Sequence, residues 1–237
     1  CEVMDMDYIK EKLYQQLAID YCSQISDIKD DKNHFMKVLV TGFDPFGGEN
    51  VNPAYEAVKL LPDIIEGAQI IKLEIPTVFK KSIEIVKEAV EKDQPDVVIN
   101  VGQAGGRACV TVEKVAINLA DAGIPDNAGD SPEDESLEKD GPDAYFSTLP
   151  VKAMVENVRA HGLPCSVSYS AGTYVCNSVM YRVLHLAARS YPNMKAGFIH
   201  VPYSSEQVAN KDRPLASMPI EIIAKSLEHA IEAVVKE

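Results

Sequence analysis

Three side chains in this 237-residue sequence combine residue type and position in a way that suits nucleophilic chemistry. Cys176 follows the tight turn SAGTY and opens the apolar stretch CNSVMYRVL, which has helical spacing. A thiol at a helix N-terminus faces the positive end of the macrodipole, which favours the thiolate. The unpaired amides of that first turn can receive an oxyanion. His200 closes the apolar run GFIH just before a proline, so it stands at a strand end, the sheet edge also expected for Cys176. A Cys–His pair needs only that the imidazole take the thiol proton. Glu113 sits inside the apolar run TVEKVAIN. A buried carboxylate requires a partner, and orienting an imidazole would supply one. Plainer readings stand beside these: a structural cysteine, a structural histidine, and an outward-facing acid paired with Lys114.

Two glycine-bearing turns add a place for a ligand. GFDPFGG (42–48) follows the first apolar run and GQAGGR (102–107) the third. Neither matches a dinucleotide fingerprint or a P-loop. They offer close backbone approach, the rings of Phe43 and Phe46, and the amide of Gln103. That is an apolar slot of sparse polarity, suited to a small neutral group; turns with core aromatics are the structural alternative. The other histidines have duller addresses: His34 in a polar connector, His161 beside a helix-ending glycine, His185 and His229 within helices.

These residues must be positioned by alternating strands and helices. Apolar runs predict strands at 37–43, 68–76, 96–102, 111–118, 165–170 and 196–201. Helical periodicity predicts helices at 53–61, 78–92, 150–161, 176–190 and 219–236. Near-continuous apolar strands separated by helices imply an α/β domain with a largely parallel sheet covered on both faces. Ligands meet such sheets at the carboxyl ends of the strands. Residues 119–143, with nine acids, break the rhythm and read as a long surface loop or an oligomer-facing excursion. Residues 1–35 carry eight acids, four bases and neither glycine nor proline. Their apolar residues from Tyr8 to Tyr21 have helical spacing, followed by the polar connector DDKNHF. We read 1–35 as an N-terminal extension of unknown role and 36–237 as a single catalytic domain.

Composition excludes several functions. The net charge is −13, with few cations to displace counterions from nucleic acid or to dock on an anionic membrane surface. No apolar run reaches the roughly 18 residues of a membrane-spanning helix. Five cysteines, an odd and scattered set without CxxC, fit a reducing cytoplasm better than a disulfide framework. No HExxH motif or clustered metal-ligand set is visible, so neither metal nor other cofactor is expected.

The stretches VTGFDPFGGENVNPA, INVGQAGGR, VEKVAINLADAGIPDN, AYFSTLP, SAGTYVCNSVMY and GFIHVPY resemble, in order, the pyroglutamyl-peptidase I family of cysteine omega-peptidases. They span essentially all of 36–237. The resemblance implies a three-layer α/β sandwich of the phosphorylase/hydrolase type, removal of N-terminal pyroglutamate from peptides, a cytoplasmic location and, commonly, a homotetramer. It implies Cys176 as nucleophile, His200 as general base and Glu113 as third triad member, with Phe43, Phe46 and Gln103 at the pyroglutamyl pocket. Gly123 departs from the pattern, because many members carry there an arginine tied to the oxyanion or its loop. Two alternatives share the fold class. A phosphorylase-like enzyme would need phosphate-binding side chains near the glycine turns, where Arg107 is the only arginine. A non-catalytic binding protein would have no need of all three triad residue types.

Overall fold

The computed structural model describes residues 35–237. The helix expected across Tyr8–Tyr21, and the connector as far as His34, lie outside the described residues.

Seven strands form one sheet. In spatial order they are β2 (Ile64–Ile65), β3 (Ala68–Ile75), β1 (Lys37–Phe43), β4 (Val97–Gln103), β9 (Lys195–Val201), β5 (Val110–Glu113) and β8 (Cys165–Ser168). The central run from β3 to β9 is parallel. Period-two alternation divides each strand between two cores. Val38 and Val40 join one core while Leu39 and Phe43 join the other, and all four are buried because helices cover both faces. Helices α1 (Pro53–Lys59), α3 (Val151–Ala160) and α6 (Ile220–Val235) supply the first face. Helices α2 (Lys81–Asp93) and α4 (Val175–Ser190) supply the second.

Local chemistry sets the element ends that border the site. Asn52 caps α1 by accepting from the Ala54 amide at 3.1 Å, with Pro53 as the first helical residue. Further along, Ser204 and Gln207 form a reciprocal capping box on the short helix α5 (Ser205–Val208). That helix lies between the two-residue strands β10 (Tyr203–Ser204) and β11 (Ser217–Met218), which pair in parallel.

Two expectations about the strands change. The run 111–118 is not one strand: it leaves the main sheet at Lys114, and β6 (Val115–Ile117) pairs instead with β7 (Ala144–Phe146). The alternation of apolar residues continues across that break, so the pattern does not register the change of partner. Strand β5 also runs antiparallel to β9, and β8 is parallel to β5. The carboxyl end of β8 therefore points away from the edge where β4 and β9 end.

The acidic stretch 119–143 has one isolated bridge, Ala120 with Glu135, and is held by further backbone bonds such as Asp121 to Thr173 and Asn127 to Thr77, and by side chains. Buried Asp126 accepts from the amides of Phe79, Ala128 and Asp130 at 2.8–2.9 Å. Asn127 donates to Asp44 Oδ1 and to the Pro45 carbonyl, joining this loop to the first glycine turn.

Candidate active site

Cys176 reaches its place through helix direction rather than through β8. Helix α4 packs against β9 and returns along it, so its first turn sits over the carboxyl ends of β4 and β9. The turn 170–174 makes that entry, with Gly172 at φ 79°, a left-handed conformation that glycine accepts readily. Asn177, buried beside the cysteine, anchors the turn from the other side. Its Oδ1 accepts from the Ile117 amide, and its Nδ2 donates to the carbonyls of Ile117 and Leu119.

The sulfur lies over Gly102. A β-carbon at that position would stand 2.9 Å from Cys176 Sγ and 2.8 Å from the Phe198 ring, so only glycine leaves the space. Gly102 and His200 are direct partners in the β4/β9 register, and Thr111 is the partner of His200 on the other side. Side chains two apart share a face, so Glu113 projects to the same side as Thr111 and His200. Its Oε1 accepts a hydrogen bond from His200 Nδ1 at 2.7 Å. Glu113 is fully buried, which removes the reading of an outward acid paired with Lys114.

Arg107 completes the group. Its Nη1 donates to the same Glu113 Oε1 at 2.6 Å and to the Thr111 hydroxyl, while Nη2 reaches the Ser170 carbonyl at 3.2 Å. The second carboxylate oxygen is buried and lacks a hydrogen-bond partner of good geometry. Ser168, opposite Glu113 in the β5/β8 register, adds a hydroxyl close enough to help hold the charge. Burial alone would raise the Glu113 pKa, but the hydrogen bonds and the favourable charge of His200, with Ser168 and Arg107, hold it below the ordinary value.

The thiol and the imidazole move in opposite directions. Burial pushes the Cys176 thiol up to about 12, with Glu113 adding to the rise and Arg107 opposing it. Burial pushes His200 below its ordinary value, partly offset by Glu113. Desolvation thus opposes the thiolate that the helix N-terminus favours. Both shifts favour the uncharged form of two groups that line the same cavity. With Nδ1 donating to an ionised carboxylate, Nε2 is the nitrogen left with a lone pair.

Cys176 and His200 line a cavity of about 240 Å³. That is below the ~300–1,000 Å³ usual for drug-sized ligands, so a small group fits it. Phe43, Phe46, Ala171 and Tyr174 give it apolar walls, and Asn52, Thr77 and Gln103 its neutral polar groups. No carboxylate lines it among the described residues. Tyr174 is braced edge-on by Phe79, with centroids 5.4 Å apart, and by its hydroxyl bond to the Pro125 carbonyl. The structure thereby brings together all six residues singled out in the sequence, five on the cavity and Glu113 behind His200.

Asn52, Thr77 and Tyr174 are not singled out in the sequence, and Arg107 is weighed there only for phosphate. The Asn-Pro cap signature marks Asn52 as a helix start, whereas nothing in the sequence marks Arg107 as a partner of Glu113. Gly123 is exposed, with nothing within 4 Å of where a β-carbon would stand. The first turn of α4 has no side-chain cap, so its amides are available to an oxyanion. Away from the site, His161 and His229 stack beside Glu232, with ring centroids 3.6 Å apart and planes within 6°. Parallel rings do not aim their in-plane lone pairs at one point. No helix among the described residues is long and apolar enough to cross a membrane.

Comparison with known proteins points to one family and one fold. The sequence model of the pyroglutamyl peptidase family matches residues 36–237. The pyrrolidone-carboxylate peptidase of Finegoldia magna is 59% identical over 200 residues, covering 84% of this chain and 93% of the relative. That of Enterococcus faecalis is 61% identical over 201 residues, covering 85% and 94%. The crystal structure of pyroglutamyl peptidase I from Bacillus amyloliquefaciens superposes with a TM-score of 0.83 at 46% identity, covering 86% of this chain and 97% of that one. The pyrrolidone carboxyl peptidase of Thermococcus litoralis gives 0.82 at 41% identity, covering 85% and 94%. These likenesses do not favour a phosphorylase or a non-catalytic protein, and Arg107, the arginine a phosphorylase would need for phosphate, is committed to Glu113. The chain belongs to the pyroglutamyl peptidase family.

Proposed function

We propose that this chain removes an N-terminal pyroglutamyl residue from peptides, with Cys176 as nucleophile, His200 as general base and acid, and Glu113 as the partner of His200. The observation that carries the reading is one small cavity without a carboxylate, in which the thiol and an Nδ1-anchored imidazole meet. A pyroglutamyl residue has a neutral lactam in place of the usual α-ammonium, so its pocket needs no carboxylate to receive a cation.

In the proposed reaction His200 Nε2 takes the thiol proton as Sγ attacks the carbonyl that joins pyroglutamate to the next residue. Charge on that oxygen is met by the Cys176 amide and its neighbours in the first turn of α4. The imidazolium, formed against the Glu113 carboxylate, gives its proton to the departing amine as the C–N bond breaks. Water, deprotonated by His200, then attacks the thioester, releasing pyroglutamate and returning the proton to sulfur. Moving from a neutral pair to an ion pair only during attack matches the opposite shifts of the two groups.

Phe43, Phe46 and Gln103 form the pyroglutamyl pocket in this reading, and residues 36–237 form the catalytic domain with 1–35 as an extension. The enzyme works in the cytoplasm as a homo-oligomer, a homotetramer by family resemblance. Well-exposed Phe146 and Tyr169 offer apolar surface for such contacts. The test is hydrolysis of a chromogenic pyroglutamyl amide by the wild type, by Cys176→Ala and by enzyme treated with a thiol alkylator. Turnover abolished in the last two supports the reading; turnover retained in a folded Cys176→Ala variant overturns it.

A further inference from the structure

We propose that Gln207, outside the cavity lining, determines the hydrogen-bonding polarity of the pocket by locking the Gln103 amide with its N–H groups toward the ligand. The inference rests on the pyroglutamyl reading above and adds a specificity-determining residue to it.

A glutamine amide has nearly the same shape when its oxygen and nitrogen are exchanged, so its orientation follows from its partners. Gln207 has two partners of fixed polarity. Its Oε1 accepts from the Ser204 backbone amide at 2.9 Å, and a backbone N–H can only donate. Its Nε2 donates to the Val51 carbonyl at 3.0 Å, and a backbone carbonyl can only accept. Turning Gln207 over would set donor against donor and acceptor against acceptor. The amide is therefore fixed, and its remaining Nε2 proton is aimed at Gln103 Oε1, 2.9 Å away.

That bond decides the second amide. Gln103 is the last residue of β4, held in register opposite Val201, so its backbone does not rotate. With Oε1 occupied by Gln207, its own Nε2 is left for the cavity that Gln103 lines, and no protein acceptor takes those protons among the described residues. The pocket presents a donor, which a lactam carbonyl satisfies and a plain five-membered ring leaves unpaired. An unlocked glutamine would present either end, and the demand for a carbonyl would weaken. The Val51 bond also ties this lock to the segment following Phe46.

The capping box offers a test that separates this role from a structural one. Glutamate serves the N3 position of a capping box as well as glutamine. Gln207→Glu therefore keeps the acceptor for Ser204 but replaces the donor facing Val51 and Gln103 with a second acceptor. Gln103 should then turn its N–H groups toward the new carboxylate and its oxygen to the ligand. Gln207→Ala loses the cap and leaves Gln103 free. The measurement is kcat and KM for pyroglutamyl and prolyl p-nitroanilides, with circular dichroism as the check on folding. Gln207→Glu is expected to raise KM for the pyroglutamyl substrate about tenfold or more, change kcat less, and lower discrimination further than Gln207→Ala does. A merely structural residue gives the reverse order, because alanine loses the cap. That order, unchanged discrimination in both variants, or a Gln207→Glu protein that does not fold would each overturn the proposal. Failure of the underlying reading is distinguished by the wild type, which would then not cleave the pyroglutamyl amide.

Discussion

Arg107 Nη1 lies 2.6 Å from Glu113 Oε1, the oxygen that also holds the His200 imidazole. The two charged neighbours act on His200 with opposite sign: the Glu113 carboxylate stabilises the imidazolium, and the Arg107 guanidinium destabilises it. His200 starts below its ordinary value, so the acidic limb of kcat/KM is expected below the reference pKa of about 6.5, with activity falling as the base becomes protonated. Arg107→Gln should shift that limb to higher pH, because a repelling charge has gone. Glu113→Gln should shift it to lower pH and also reduce kcat, since the imidazolium of the transition state loses its counter-charge. A reduction of about 10- to 100-fold is expected, smaller than for loss of Cys176 or His200. Kinetics of the two variants across pH 4–9 give the answer; shifts in the same direction would contradict the arrangement.

Gly102 supports the nucleophile from below, and Gly102→Ala places a methyl group against Cys176 Sγ and the Phe198 ring, 2.9 and 2.8 Å away. Overpacking of this kind costs about 1–3 kcal/mol. The strain falls on the sulfur, so activity should drop more than stability, by at least about tenfold in kcat for a displaced reacting atom. Thermal unfolding and turnover measured on the same sample separate the two effects. Unchanged kcat in the alanine variant would mean that the sulfur does not need its place over β4.

The three described cysteines should differ sharply in their importance. Cys165 is buried, and desolvation pushes its thiol up to about 12 without any neighbouring base to take the proton. Cys109 lies 3.4 Å from the Ser166 hydroxyl. Of the three, Cys176 alone shares a cavity with an imidazole, so alanine there should abolish turnover while alanine at Cys109 or Cys165 changes it little. Mass mapping after limited alkylation, with and without a pyroglutamyl substrate analogue, should place the protected adduct on Cys176.

What could be read in the sequence was whatever depends on local pattern. Strand β1 occupies 37–43 as expected, and β4 is displaced from the expected 96–102 by a single residue. Apolar alternation and helix caps lie within the windows that reveal them. Partner choice does not: β5 and β6 share one unbroken pattern yet join different sheets, and the direction of β8 depends on where its connections run. Strands of two or three residues, such as β2, β7 and β10, are too short to show a period. Within the site, the reactive residue types were conspicuous, but the side chains that set their polarity were not. Gln207 meets Gln103 across 104 positions, and its S-x-x-Q signature announces a helix start rather than a pocket.

Selectivity for pyroglutamyl over prolyl substrates should arise from two separable causes. The rings are nearly the same size, so the apolar walls from Phe43, Phe46 and Tyr174 cannot tell them apart by shape. An N-terminal prolyl group is a cation, and a cavity without a carboxylate offers nothing to replace its water. It also lacks the lactam carbonyl, which would leave the donor of Gln103 unpaired, and sites built around such a bond can discriminate by roughly 10⁴ or more. A cyclopentanecarbonyl amide isolates the second cause, being neutral and without the lactam. With one leaving group on all three, kcat/KM should fall from pyroglutamyl to cyclopentanecarbonyl to prolyl. Equal values for the first two would remove Gln103 from specificity, because charge alone would then account for the selection. Equal values for the last two would remove the desolvation cost, leaving the hydrogen bond as the sole source of selection.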